Sequence, residues 1–210
     1  MADVSDSNLR PSNADFRSPF LMNANDSALL VIDMQQKLLP HIAGNQLVEW
    51  NVQRLLAGAK VLEVTVAGTE QYPQGLGETV ASIREPLVAQ SKLDVPSKTM
   101  FSCRECRTLV KSLADNGVHN LLLCGIETHV CVAQSAMDFI SQGFNVYVCV
   151  DAVGARSDLD HQVALRRLEN AGVTLTTTEA VLFEWCEKAG STAFKEISKL
   201  VRQAGPKYDA

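Results

Sequence analysis

From Ala28 to Ile32 the chain runs Ala-Leu-Leu-Val-Ile without a polar residue and then closes on Asp33. A strand with one wet face alternates apolar and polar side chains. A strand without that alternation is buried on both faces, the condition met in a parallel sheet covered by helices. Leu121–Cys124, broken by Gly125, and the run from Asn145 to Val150, closing on Asp151, repeat the pattern.

Between these runs, apolar residues recur at helical spacing and are bounded by capping residues. Gly44 to about Gly58 carries Leu47, Trp50, Val52, Leu55 and Leu56 and predicts a helix. A second strand is expected over Val61–Gly68, then a turn-rich loop over Thr69–Gly77, and a short strand leading past Pro96 into Lys98. Ser102 or Cys103 opens a helix to about Asn116, stopped by Gly117, and Thr128 or His129 opens another that ends at Gly143. Ser157 or Asp158 caps a helix over about 159–171, Val173–Thr177 is the last strand, and helices near 179–187 and 191–204 close the chain. Strands and helices alternate with short crossovers. The expected fold class is therefore α/β, three-layer, with a five- or six-stranded parallel sheet, helices on both faces and right-handed, Rossmann-like connections. At 210 residues the chain suits one such domain, over 27–205, with a polar N-terminal arm over 1–26. Within the arm, the apolar Pro19–Met22 is expected to dock on the domain or on a neighbouring subunit.

In open α/β sheets ligands bind beyond the carboxyl ends of the strands. Asp33, Lys98 and Cys131 each fall there, after three different strands. Taken singly, Asp33 reads as a helix cap, Lys98 as a solvated surface lysine and Cys131 as a small buried hydrophobe. Together they form a complete nucleophile, with a thiol, a carboxylate to accept its proton and an ammonium to hold the charge. Cys131 falls in the first turn of a helix, where unpaired N–H groups and the helix dipole favour an anion, so its thiol is expected to ionise readily. The loop at 69–77, with Glu70 and Tyr72, and Phe101 near Lys98 are the candidates for shaping a substrate pocket.

Three motifs, LLVIDMQ with Asp33, SKTMFS with Lys98 and GIETHVCV with Cys131, stand in the order and spacing of a known family. Over roughly 27–180 the chain resembles the isochorismatase-like cysteine hydrolases, which include nicotinamidases and N-carbamoylsarcosine amidases. The resemblance implies the isochorismatase-like hydrolase fold and an Asp33-Lys98-Cys131 triad. It further implies attack of Cys131 on the acyl carbon of a small amide or related C–N bond, through a thioester later hydrolysed by water. It also implies a non-proline cis peptide at Ile126-Glu127 and an oxyanion hole made by the backbone N–H groups of Glu127 and Cys131. The chain departs from nicotinamidases, whose metal site uses Asp-x-His and a further His. Here the matching loop is Thr69-Glu-Gln-Tyr-Pro73 without histidine, so no metal or other cofactor is expected. Isochorismatases proper act on a vinyl ether and generally lack the cysteine. The chain looks more like the uncharacterised isochorismatase-domain hydrolases than like either.

A net charge of −5 and the lack of any Lys/Arg-rich run point away from nucleic acid. With no basic-then-apolar leader and no apolar stretch of membrane-spanning length, a soluble, cytoplasmic protein is expected. The six cysteines are expected to be reduced. Two other readings stay open. Cys103-x2-Cys106, at a helix start, fits a thiol redox protein, and the fold could serve as a non-catalytic binding scaffold. Finally, Met137, Phe139 and Ile140 in one helix and Val181, Leu182, Phe183 and Trp185 in another exceed a narrow apolar stripe. A homo-oligomer with the 179–187 helix in its contact is expected.

Overall fold

The structure, a computed structural model, describes residues 17–91 and 94–206. The first sixteen residues of the expected arm lie outside the described residues. Six strands, β1 Ser27–Ile32, β2 Thr65–Gln71, β3 Ser97–Lys98, β4 Asn120–Ile126, β5 Asn145–Gly154 and β6 Thr174–Thr176, form one sheet in the order β3-β2-β1-β4-β5-β6. Every pairing is parallel. The helices are α1 Asn45–Val61, α2 Pro73–Leu76, α3 Ala81–Gln90, α4 Arg107–Asp115, α5 Ala133–Ser141, α6 Asp158–Asn170, α7 Thr178–Cys186 and α8 Thr192–Val201.

The apolar runs are uninterrupted because each central strand feeds two cores. Leu29 and Val31 of β1 and Leu122 and Cys124 of β4 pack with Leu55 and Leu56 of α1, Ile83 of α3 and Leu182 of α7. Their neighbours Leu30, Ile32, Leu121 and Leu123 point the other way, onto Leu109 of α4, Phe139 of α5 and Leu168 of α6. Helices thus cover both faces, and the chain reverses its direction of growth across the sheet between β1 and β4. The crevice beyond the carboxyl ends of those two strands is where such sheets bind ligands. Among the described residues no helix is long and apolar enough to cross a membrane.

Several boundaries differ from the sequence reading. The helix expected to stop at Gly58 continues to Val61, and β2 begins at Thr65 rather than at Val61. Gly58 is no terminator, since a Cβ there would collide with Leu182, so the glycine lets α7 approach α1. β2 runs on through Gln71, so Thr69, Glu70 and Gln71 belong to a strand end rather than to a loop. The stretch over 78–92, assigned no element from sequence, holds α3, which buries Ile83 and Leu87 despite Pro86 within it. The segment from Arg17 to Met22 lies along α7: Met22 N–H donates to Glu184 Oε2 at 2.9 Å, and its side chain is fully buried.

The apolar surplus of α7 has an internal explanation. Val181, Leu182 and Trp185 are buried in the chain's own core, and only Phe183 is exposed, at 40%. In α5, likewise, Phe139 is fully buried and stacks edge-on against Phe144, while Met137 and Ile140 are half-buried. Because α7 follows the last strand, it packs on the α1 side of the sheet, where α1 and α8 also cover it. The inference of an interface from Trp185 therefore fails.

Candidate active site

Asp33 follows the last residue of β1 with φ of 52°, a left-handed conformation that Asp adopts more readily than most residues. Its N–H donates to Thr69 O at 3.1 Å, which ties the turn to β2. Lys98 is the last residue of β3, in register with Gln71. The two charged side chains are both 0% exposed and meet at 2.7 Å, Lys98 Nζ donating to Asp33 Oδ2. The ammonium also donates to Gln71 Oε1 at 2.7 Å, Phe101 O at 3.0 Å and Met100 O at 3.4 Å. Thr69 Oγ1 donates to the other carboxylate oxygen, Oδ1, at 2.9 Å. A buried ion pair is tolerable only when its remaining donors and acceptors are occupied, as they are here.

Cys131 arrives from β4. Gly125, at φ of 109°, passes so close to β1 that an added Cβ would lie 2.8 Å from Ile32 N, so only glycine fits. The Ile126–Glu127 peptide is cis. A π-helical turn, Thr128–Val132, then leads into α5 and buries Cys131, whose thiol lies within the field of both Asp33 and Lys98. The helical start was expected to make the thiol acidic. Instead, burial pushes the Cys131 thiol well up, the Asp33 charge adds to the rise, and Lys98 opposes it only in part. Position at a helix start loses to loss of water and a neighbouring anion. Burial likewise pushes the Asp33 carboxyl up from the carboxylate range, against Lys98, Cys131 and Thr69. Burial alone would lower Lys98, but Asp33, with smaller help from Cys103 and Cys131, holds the ammonium above the ordinary lysine value. The resting site is a neutral thiol beside an ion pair whose carboxylate is a stronger base than usual.

The pocket candidates divide. Tyr72 and Phe101 stand on the exposed rim at 55% and 52%, and Tyr72 N–H donates to Lys98 O at 2.9 Å. Glu70 instead turns into the protein. Its Oε1 accepts from Thr79 N at 2.7 Å and Thr79 Oγ1 at 2.8 Å, so it braces the turn over 72–79 rather than lining the rim. Cys103 and Cys106 are buried free thiols, and burial pushes them up to about 12 and about 11. That is the reverse of the low thiol pKa a redox dithiol needs. Among the described residues no group of three His, Cys, Asp or Glu side chains is placed to hold a metal ion.

Sequence reading missed Thr69 and Gln71, which hold Asp33 and Lys98. They are two apart on β2 and so share a face. Extending β2 to its true end would have exposed that signal. Gln35 was missed too: its Oε1 accepts from Gln71 N–H at 2.7 Å, and its Nε2 donates to Gln71 O at 3.0 Å.

Comparisons with known proteins bear on the family and the fold. The isochorismatase domain family model matches residues 27–180. Isochorismatase domain-containing protein 2 of Danio rerio is 38% identical over 187 residues, covering 88% of this chain and 91% of the relative. The structure of MAR1 ribonuclease from Caenorhabditis elegans is 36% identical with a TM-score of 0.82, covering 89% of this chain and 95% of that one. The YcaC gene product of Escherichia coli, described as an octameric hydrolase of unknown specificity, shares the fold. Its TM-score is 0.78 at 24% identity, with 88% and 91% of the two chains covered.

Proposed function

We propose that this chain, which belongs to the isochorismatase-domain family, is a cysteine hydrolase that cleaves a small amide or related C–N bond through a thioester on Cys131. The family fold supports a hydrolase. The observation that carries the finer reading is the buried contact of Lys98 Nζ with Asp33 Oδ2 at 2.7 Å, with the buried Cys131 thiol within the field of the same pair.

In this mechanism the Asp33 carboxylate takes the thiol proton as Sγ attacks the carbonyl carbon. A neutral resting thiol makes this a general-base step, for which a carboxylate of raised basicity is suited. The carbonyl oxygen becomes an oxyanion between the backbone N–H groups of Glu127 and Cys131. Collapse breaks the C–N bond, and the leaving nitrogen takes the proton held by Asp33. Water then gives a proton to Asp33 and adds its oxygen to the thioester carbon. The acid leaves, and the proton returns to Sγ. Throughout, Lys98 holds the negative charge that moves between Asp33 and Cys131. No metal takes part.

A redox role would need an acidic thiol, and the raised values of Cys103 and Cys106 weigh against it. RNA cleavage, the activity that the nematode relative's name states, would need cationic contacts along a phosphate backbone, and a net charge of −5 weighs against that. The enzyme is proposed to be cytoplasmic and homo-oligomeric. The test is turnover of a panel of small amides, with acid-quenched samples weighed by mass spectrometry. An acyl adduct on the Cys131 peptide, and no turnover by Cys131→Ala, is the expected result. Retained turnover in Cys131→Ala overturns the mechanism.

A further inference from the structure

An open cavity of about 540 Å³ is lined by Lys37, Leu38, His41, Glu127 and Arg156. These residues come from the segments that follow β1, β4 and β5, so the cavity belongs to the carboxyl edge of the sheet. It shares Glu127 with the candidate oxyanion hole. Two cations face it in a chain whose net charge is −5.

Both cations are tethered and incompletely used. Arg156 Nε donates to Glu127 Oε2 at 3.1 Å and Oε1 at 3.2 Å, and Arg156 N–H donates to Oε2 at 3.0 Å. The only carboxylate lining the cavity is thereby engaged, while Nη1 and Nη2 of Arg156 have no partner among the described residues. Lys37 Nζ donates to Gly75 O at 2.9 Å, which leaves two of its three protons. A planar guanidinium edge beside a second ammonium suits a carboxylate, with Leu38 offering an apolar contact to the carbon chain between.

We propose that the substrate is a small amide that carries a carboxylate, held by Arg156 and Lys37 while its amide carbonyl reaches Cys131. This rests on the hydrolase reading but is tested separately from it, because alkylation of Cys131 needs no turnover. Iodoacetate and iodoacetamide differ in carrying or lacking a carboxylate, and each labels the Cys131 peptide at a rate that mass spectrometry follows. The ratio of the two rates cancels any change in the acidity of the thiol itself. It should fall about tenfold in Lys37→Gln/Arg156→Gln relative to the wild type, and less in Arg156→Lys, which keeps the charge. Protection against iodoacetamide supplies a second readout. Succinamate should protect Cys131 better than the neutral butyramide, and the advantage should vanish in the double variant. A ratio equal in wild type and double variant, or stronger protection by inorganic phosphate than by succinamate, overturns the proposal. Loss of the hydrolase reading would show instead as an unchanged contrast in alkylation with no amide turned over.

Discussion

Lys98→Met isolates the electrostatics of the site. Methionine occupies nearly the volume of lysine, so little cavity forms, and the change removes the charge and its four hydrogen bonds. At 2.7 Å and an effective dielectric of about 20, the lost attraction is about 6 kcal/mol, of which desolvation of the pair already consumed part. Breaking one side of a buried pair costs about 3–5 kcal/mol because the partner stays behind unpaired. For a chain this size that is a fall in Tm of about 6–20 °C near neutral pH. The fall should depend on pH in a fixed sense. Without the ammonium the folded-state pKa of Asp33, already raised by burial, rises further. A folded pKa above the unfolded one gives stability that is full in acid and is lost as pH climbs through the folded value. In wild type the rise is smaller, because the charge of Lys98 pulls the Asp33 carboxyl back down. The gap between variant and wild type should therefore be smallest near about pH 5 and widen toward about pH 8. Thermal unfolding followed by circular dichroism at both pH values measures it. A gap of equal size at the two, or a variant within about 2 °C of wild type throughout, would refute a charged buried pair.

Asp33→Asn should abolish hydrolysis yet speed alkylation of Cys131 by iodoacetamide near neutral pH, because the Asp33 charge is part of what holds that thiol up; slower alkylation in a folded variant reverses the sign and rejects the assignment. Gly125→Ala should cost at least about 3 kcal/mol in chemical denaturation, since the new Cβ meets the Ile32 backbone at a φ of 109°; a near-neutral effect would show that β4 and β1 can part there. Trp185→Glu should unfold the chain by burying a charge in its own core, whereas Phe183→Glu should leave the circular dichroism spectrum intact and, if α7 borders a subunit contact, shrink the assembly seen by light scattering. A folded Trp185→Glu protein would contradict the packing of α7. Dialysis against a chelator should change neither Tm nor amide turnover, and activity lost and then restored by zinc would reveal a metal that the Thr69–Pro73 stretch gives no hint of.

What the sequence by itself determined is the frame. Strands buried on both faces need unbroken apolar runs, and such runs at 28–32, 121–124 and 146–150 placed the parallel sheet and left Asp33 and Cys131 at its carboxyl edge. Helix ends marked by Ser157 and Gly117 were legible because capping chemistry is local. What lay beyond reach depended on neighbours distant along the chain. Gly58 read as a stop until Leu182 was seen against it. Trp185 read as a contact surface until α7 was placed on the central core. Glu70 looked like a pocket residue, but the Thr79 hydroxyl and N–H claim its carboxylate. The acidity of Cys131 shows the division most sharply. A helix start is visible in four residues of sequence and argues for an ionised thiol. Burial, and a carboxylate 98 positions earlier in the chain, reverse the sign, because desolvation and charge pairing are set by whatever the fold brings near and not by what lies adjacent in sequence.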